Sequence, residues 1–260
     1  MQILNWSAGA LLLAAACPSI AAEQCVARSG ATTTPLVELY TAEGCNSCPP
    51  ADQWMSKRSK DADTNWLAFH VDYWDKEGWT DRFASPGNTL RQRARVLLAG
   101  GKDLIYTPQV MVGTNVQANW RSDGRFNRSL EQARQPAPVE LALQAQPQGK
   151  SWDVRIDAAP IKGATVPLAE VWLVQYIDDQ VSRPRAGENR GVTLHHDRVV
   201  HKQWGPWKLG AGTLSKSVAV EADTPAWGLT AFVQDARGQT LQSLSLPAAT
   251  CAVPASTASR

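Results

Sequence analysis

The chain of 260 residues is 43% hydrophobic and 19% charged, a composition that excludes a mostly disordered or collagen-like protein. Its 26 basic and 24 acidic side chains give a net charge of +2, which is too small to hold nucleic acid by charge alone. Because a hydrophobic core usually stops growing at about 250 residues, we expect two domains, and we expect no nucleic-acid partner.

The N-terminal segment has the features of an export signal. The first 22 residues carry no charged side chain, and the apolar stretch at residues 8–16 is too short to cross about 30 Å of hydrocarbon. Small residues at positions 19–22 offer a cleavage site. We therefore predict a signal peptide over residues 1–22, a periplasmic or secreted bacterial protein, and no transmembrane segment in the mature chain. A lipoprotein attached at Cys17 is the alternative.

The cysteines predict two disulfides. The chain has five, and cleavage would remove Cys17 and leave an even number, as is typical of an exported protein. Four cysteines allow three connectivities. Cys45 and Cys48 form a C-x-x-C motif, so the residual pair is Cys25 with Cys251, which we expect to be a structural bridge.

The first half of the mature chain alternates strands and helices. Strands are predicted at residues 36–41, 66–71 and 108–112, and helices at 85–99 and 122–134. A further helix is predicted to open within residues 44–50 and to run to about Ser59. The second strand is apolar without alternation, as in a parallel sheet that is covered on both faces. This order predicts an α/β domain over residues 23–135.

The second half reads as strands alone. The composition changes at residues 135–138, and strict alternation follows, beginning with Val139, Leu141 and Leu143. About seven strands at this spacing predict an all-β sandwich of immunoglobulin-like size. We place this domain at residues 136–253 and expect a flexible tail at 254–260.

A C-x-x-C motif at the start of a helix is suited to redox chemistry. The helix N-terminus stabilises a thiolate, and two intervening residues place the second sulfur within reach of the first. We expect Cys45 to face solvent as the nucleophile and Cys48 to be the shielded resolving thiol, while Glu43 opposes thiolate formation. An inert local disulfide and half of a zinc site are the alternatives.

Thr107-Pro108 stands directly before the third predicted strand. Thioredoxin-like folds have a cis-proline at this position, packed against the cysteines, which leaves the preceding backbone free to pair with an extended substrate. We therefore predict that Pro108 is cis and close to Cys45, and that the first domain is thioredoxin-like. An ordinary trans proline that opens a strand is the alternative.

Polar and aromatic residues end the second strand. His70, Asp72, Tyr73 and Trp74 lie where the carboxyl ends of parallel strands gather functional groups, so we expect them near Cys45. His70 could exchange a proton with a thiolate, and Asp72 could orient His70. The alternative is a buried, hydrogen-bonded histidine with a capping aspartate.

The remaining histidines predict no metal site. His195, His196 and His201 fall on one predicted surface strand, where His195 and His201 are far apart and His196 points the other way. No phosphate-binding glycine loop and no G-x-S-x-G motif is present, so we predict no cofactor.

Several segments resemble one family of exported bacterial proteins. They are Val37-Glu-Leu-Tyr-Thr-Ala-Glu-Gly-Cys-Asn-Ser-Cys-Pro-Pro-Ala-Asp52, Phe69-His-Val-Asp-Tyr-Trp-Asp75, Tyr106-Thr-Pro-Gln109 and Gly187-Glu-Asn-Arg-Gly191. Together they resemble the family called domain of unknown function 1223, and the resemblance implies a thioredoxin-like fold and export. Asn46 and Arg95 depart from the family pattern but leave the cysteines in place. The family name implies no activity.

The function hypothesis is an extracytoplasmic thioredoxin-like thiol–disulfide oxidoreductase that acts on protein thiols or disulfides, with a membrane electron-transfer partner as a further possibility. The first alternative is a non-enzymatic exported binding protein, in which Cys45–Cys48 is structural and residues 187–191 recognise a partner. The second is a copper carrier that uses Cys45, Cys48 and His70.

Overall fold

The computed structural model describes residues 25–100, 104–117, 119–210, 212–222 and 226–251. The predicted signal peptide at 1–22 and the predicted tail at 254–260 lie outside the described residues. Over the described ranges the chain forms fourteen strands, three α-helices and two short 3-10 helices. None of these helices is long and apolar enough to span a membrane.

The first half contributes five strands and three helices. In chain order they are β1 (Cys25–Arg28), β2 (Leu36–Thr41), α1 (Pro49–Arg58), β3 (Asn65–His70), α2 (Pro86–Leu98), β4 (Gln109–Val112), β5 (Asn115–Val116) and α3 (Asp123–Ala133). A 3-10 helix at Asp72–Glu77 follows β3. Every residue of β2 and β3 is buried, which explains why their sequences show no polar alternation.

The second half contributes strands only. They are β6 (Val139–Gln148), β7 (Ser151–Pro160), β8 (Ala169–Ile177), β9 (Gln180–Ser182), β10 (Leu194–His196), β11 (Val199–Leu209), β12 (Leu214–Glu221), β13 (Trp227–Asp235) and β14 (Thr240–Pro247). The second 3-10 helix, Ala248–Cys251, ends the described part of the chain.

One mixed sheet of eight strands runs through both halves. Its order is β14-β13-β8-β11-β3-β2-β4-β5, with β2 and β3 parallel and most other neighbours antiparallel. The two halves meet where Val199 of β11 pairs in parallel with Ala68 of β3, and the Ala68 N–H donates to the carbonyl of Arg198 at 2.8 Å. The prediction of an α/β thioredoxin-like domain followed by a sandwich domain is therefore wrong.

The physical reason lies at the edge of β3. In a separate α/β domain, the backbone N–H and C=O groups along this edge of β3 would have no partner strand. An unpaired strand edge is a template for pairing with another strand. Here β11 from the second half takes that edge, so the helix-covered strands become part of a β-rich sheet. Three helices cover that part, with α1 and α3 packed on the face of Val37 and Leu39 and α2 near the opposite face.

The remaining strands form the sandwich. A four-stranded sheet of order β1-β6-β7-β12 packs on the part of the large sheet built from β8, β11, β13 and β14. Alternating residues such as Leu141, Leu143, Val154 and Ile156 fill the core between the two sheets. The predicted β-sandwich is consistent with this arrangement, although its first strand, β1, comes from the N-terminal segment.

Candidate functional site

The C-x-x-C turn connects the end of β2 to the start of α1. The Cys45 N–H donates to the carbonyl of Ala42 at 3.2 Å, and the Cys48 N–H donates to the carbonyl of Cys45 at 3.2 Å. Cys48 is the N-cap of α1, which begins with two prolines that have no N–H to satisfy. This local geometry holds the two cysteines in a disulfide with their Cα atoms 5.5 Å apart.

Both cysteines are buried, with 0% of each residue exposed. The expectation that Cys45 faces solvent is therefore wrong. The side chain of Trp74, from the 3-10 helix after β3, packs so close that a Cβ atom on Gly44 would lie 3.3 Å from its Cβ. Solvent reaches the two intervening residues of the motif instead, because Asn46 and Ser47 are exposed.

The segment before β4 lies against the same turn, and its Thr107–Pro108 peptide bond is cis. The Ser47 hydroxyl lies 3.3 Å from the Sγ of Cys45 and donates to the Thr107 carbonyl at 3.5 Å. The indole N–H of Trp74 donates to the Thr107 hydroxyl at 2.7 Å. The structure thus brings Cys45, Thr107 and Trp74 together around an exposed serine.

The sequence suggested that Asp72 orients His70, but the structure gives these two residues other partners. Asp72 accepts a hydrogen bond from the Thr89 hydroxyl at 2.5 Å, and the half-buried Tyr73 packs on the apolar cluster that contains both cysteines. The carboxylate that hydrogen-bonds His70 is that of Asp81, with Oδ2 at 2.7 Å from Nδ1. Asp81 lies in a loop with no periodic pattern, so no sequence signal points to it.

Five titratable side chains form a buried polar cluster next to the turn: Glu43, Asp52, His70, Asp81 and His196. His196 Nε2 lies 3.7 Å from Glu43 Oε1, and His196 Nδ1 lies 3.9 Å from Asp52 Oδ2. The rings of His196 and His70 are 4.9 Å apart between centroids. The sequence placed His196 on a surface strand, and the structure corrects this because the residue is only 2% exposed.

Burial and mutual contacts set the charges of this cluster. Burial raises the pKa of Asp52 to about 7. Burial would also raise the pKa of Asp81, but the adjacent His70 lowers it to about 2. Burial lowers the pKa of His70, yet Asp81 outweighs burial and raises it overall. Burial, with the positive His70 nearby, lowers the pKa of His196 to about 3. At neutral pH the cluster therefore holds an ionised Asp81, which favours the charged form of His70, and a neutral His196.

A loop from the second half of the chain holds the C-x-x-C turn. It comprises residues 183–193, between β9 and β10. Its Asn189 side chain donates to the carbonyls of Glu43 and Cys45, both at 2.8 Å. The Asn46 N–H donates to the carboxylate of Glu188 at 3.0 Å. Sequence reasoning did not place Asn189 in the site, because the glycines that flank it indicate a loop and not what the loop contacts.

The other pair of cysteines lies away from this site. Cys25 of β1 and Cys251 of the second 3-10 helix are joined in a disulfide with Cα atoms 5.2 Å apart, at the edge of the sandwich core. In the part of the chain that the structure describes, no group of three or more His, Cys, Asp or Glu side chains is arranged to hold a metal ion.

Comparisons with known proteins identify a family and a shared fold. The family described as "Protein of unknown function (DUF1223)" matches residues 36–234. The solved structure of protein AGR_C_4864 from Agrobacterium tumefaciens has a TM-score of 0.60 at 24% identity, covering 84% of this chain and 96% of that chain. HBP35 of Porphyromonas gingivalis has a TM-score of 0.63 at 14% identity, covering 89% of this chain and 80% of that chain. None of the curated proteins matches.

Proposed function

Because the chain belongs to the DUF1223 family, whose description states no activity, we propose its function from the site itself: an extracytoplasmic thiol–disulfide oxidoreductase that uses Cys45 and Cys48. One observation carries the proposal. The Cys45–Cys48 disulfide is local, lies at the N-terminus of α1, and has a serine hydroxyl 3.3 Å from the sulfur of Cys45. A purely structural bridge does not need such a hydroxyl.

The proposed reaction transfers two electrons between the cysteine pair and a protein partner. In the reduced protein the Cys45 thiolate attacks one sulfur of a partner disulfide, which forms a mixed disulfide and releases the partner's other sulfur as a thiolate. The Cys48 thiolate then attacks Cys45 Sγ, which closes Cys45–Cys48 and releases the second partner thiol. The partner is reduced and the protein oxidised; the reverse sequence oxidises the partner.

Three groups around the sulfurs have roles in this proposal. The Ser47 hydroxyl, which now donates to the Thr107 carbonyl, can turn to Cys45 and stabilise its thiolate by a hydrogen bond. The Thr107–Pro108 backbone beside it would pair with an extended segment of the partner. Asp81 accepts the Glu43 N–H at 2.9 Å, so the buried polar cluster positions the residues before Cys45.

The proposed location follows from the two disulfides in the described residues, because such bonds persist mainly in oxidising compartments. A periplasmic or secreted protein would find protein thiols and disulfides there as substrates. A membrane electron-transfer protein would restore its redox state. The direction depends on the reduction potential of the pair: a value near about −120 mV would indicate an oxidant and one near about −270 mV a reductant.

Trapping of mixed disulfides tests the proposal. Cys48→Ser protein in its own compartment should accumulate covalent complexes that a reductant dissolves, because the Cys45 thiolate still attacks and nothing releases the product. Cys45→Ser is the matched control and should trap few. If neither variant forms complexes, and Cys45 in the reduced protein titrates at about 8.5 like an ordinary thiol, the oxidoreductase proposal fails.

The complete burial of both cysteines favours a second candidate, a non-enzymatic binding protein in which this bridge is structural. A structural bridge resists mild reduction, whereas a redox-active pair is labile. Resistance of Cys45–Cys48 to glutathione at concentrations that reduce redox-active pairs would select the second candidate.

A further inference from the structure

We propose that the loop of residues 183–193 is a lid over the Cys45–Cys48 disulfide, and that Asn189 is the positioning residue that latches it. The role of the lid rests on the proposed redox function, since closure would decide when a partner reaches the sulfurs. The closure itself is a property of the fold and can be measured without any partner.

The loop is built as a self-contained unit. The Gly191 N–H donates to the carbonyl of Pro184 at 2.8 Å and closes the loop at its base. Inside it, the Arg190 N–H donates to Gly187 at 3.3 Å and the Val192 N–H to Asn189 at 3.0 Å. A loop whose ends are joined and whose turns are internally bonded can move as one body.

Side-chain hydrogen bonds of Asn189 and Glu188 join this unit to the C-x-x-C turn. Asn189 is 4% exposed in a loop whose charged side chains are exposed, and its amide donates two hydrogen bonds to backbone carbonyls of the turn. Glu188 adds a bond to Asn46 at the surface. Gly187 lies against the turn, since a Cβ there would be in ordinary contact with the Cα of Gly44 at 3.7 Å, and its φ of +74° is one that favours glycine.

The other cover of the disulfide is anchored more firmly. Trp74 packs in the apolar cluster that also contains both cysteines and the aromatic rings of Tyr40 and Phe69. Opening that side would expose several large apolar side chains, whereas the buried apolar side chain of the loop is Pro184 alone, so lifting the lid mainly exchanges protein hydrogen bonds for bonds to water. Segments with few buried apolar contacts open most readily. Lifting the lid would therefore free the C-x-x-C turn and open a route for a thiolate to the sulfurs beside the one at Ser47 and Thr107.

Reduction by dithiothreitol tests the latch. A dithiothreitol thiolate attacks one cysteine sulfur and breaks the protein S–S bond, and its second thiol then displaces that sulfur to leave oxidised, cyclic dithiothreitol and two protein thiols. Quenching with a maleimide and mapping the labelled peptides by mass gives a rate for each disulfide. Cys25–Cys251, which lies in the sandwich, is the internal reference in the same molecule.

Asn189→Asp is the principal variant, because it keeps the size of the side chain but removes the amide NH2 group that donates to the carbonyls of Glu43 and Cys45. We expect it to speed reduction of Cys45–Cys48 by about tenfold or more, as the loss of two buried hydrogen bonds implies, with no change at Cys25–Cys251. Glu188→Ala, at an exposed position that cannot unfold the chain, should give a smaller acceleration of about threefold. Arg190→Ala, exposed in the same loop, is the control and should leave both rates unchanged.

Trypsin gives a second readout, because cleavage after Arg185 and Arg190 should become faster in Asn189→Asp than in the control. The lid is overturned if neither Asn189→Asp nor Glu188→Ala changes the Cys45–Cys48 rate, or if both disulfides accelerate together, which would mean general destabilisation. If Asn189→Asp speeds the reduction of Cys45–Cys48 alone, but Cys48→Ser traps no partner, the lid proposal stands and the oxidoreductase proposal fails.

Discussion

Asp81 Oδ2 lies 2.7 Å from Nδ1 of His70, with the His70 side chain 0% and the Asp81 side chain 1% exposed. Removal of one partner from such a buried pair leaves the other charge uncompensated. We expect Asp81→Asn to lower the free energy of unfolding by about 3 kcal/mol near pH 6 and to lower the pKa of His70. Urea unfolding and an NMR titration of the histidine ring measure the two effects.

The pH dependence of this pair follows from the two pKa shifts. The pKa of Asp81 is lowered to about 2, so its contribution is complete above the unfolded value of about 3.9 and is lost as the pH falls toward 2. The pKa of His70 is raised, so its contribution is complete below about 6.5 and is lost as the pH rises through the folded value. The difference between wild type and Asp81→Asn should be largest between about pH 4 and 6.5. Asp72→Asn is the matched control, and an equal change of the His70 pKa in that variant would contradict the assignment.

Asp52 should make the protein less stable as the pH rises. Burial raises its pKa to about 7, so the folded state holds a proton that the unfolded state releases at about pH 4. The stability that this proton supplies is complete below pH 4 and is lost as the pH rises through 7, a loss on the order of 4 kcal/mol. Asp52→Asn should remove this slope from the urea midpoints measured between pH 4 and 8. The exposed Asp61→Asn should not, and an unchanged slope in Asp52→Asn would contradict the assignment.

The separate elements could be predicted from the sequence, but their assembly could not. Hydrophobic periodicity is a local signal, and it located β2, β3 and the helices that follow them. The junction between the halves depends on Val199 pairing with Ala68, more than a hundred positions away, and no local pattern encodes which edge a strand will take. The proline-rich residues 135–138 therefore resembled a domain boundary, although the same sheet continues on both sides of them.

The residues of the candidate site also fall into those that the sequence could place and those that it could not. Cys45 and Trp74 could be placed together because they follow neighbouring parallel strands at the same end of the sheet. Thr107 could be placed there because thioredoxin-like folds pack the proline before the third strand against the cysteines. Asn189 and His196 could not, because both come from the second half and reach the site through the packing of β10 with α1. The burial of Cys45 could not be predicted either. Its position before a helix N-terminus depends on the local sequence, whereas its burial depends on distant segments that pack over it.

Arg91 of α2 should be among the most important buried side chains. Its Nε and Nη2 atoms each lie 3.0 Å from the carboxylate of Glu38, and its guanidinium stacks within 5.5 Å of the rings of Phe69, Trp172 and Phe232. Arg91→Met removes the ion pair and all three ring contacts. We expect a loss of about 3–5 kcal/mol in the free energy of unfolding, measured with urea.

A lysine at this position distinguishes charge from geometry. Arg91→Lys keeps the positive charge but not the planar fork, so its stability should fall between wild type and Arg91→Met. Arg125→Met, on the exposed face of α3, is the control and should change stability by less than about 0.5 kcal/mol. A lysine variant as stable as wild type would show that the planar fork contributes little.

The two disulfides should differ greatly in what they contribute to stability. Cys25 and Cys251 are 226 residues apart in sequence, whereas Cys45 and Cys48 are 3 apart. Because a cross-link stabilises mainly by restricting the unfolded chain, and more so for a longer loop, the double variant Cys25→Ala/Cys251→Ala should lose about 5 kcal/mol. Cys45→Ala/Cys48→Ala, with its very short loop, should lose much less. Urea midpoints of the two double variants compare them directly. Equal losses, or a Cys25 that peptide mapping under non-reducing conditions finds free or linked to Cys45, would contradict this difference between the two bridges.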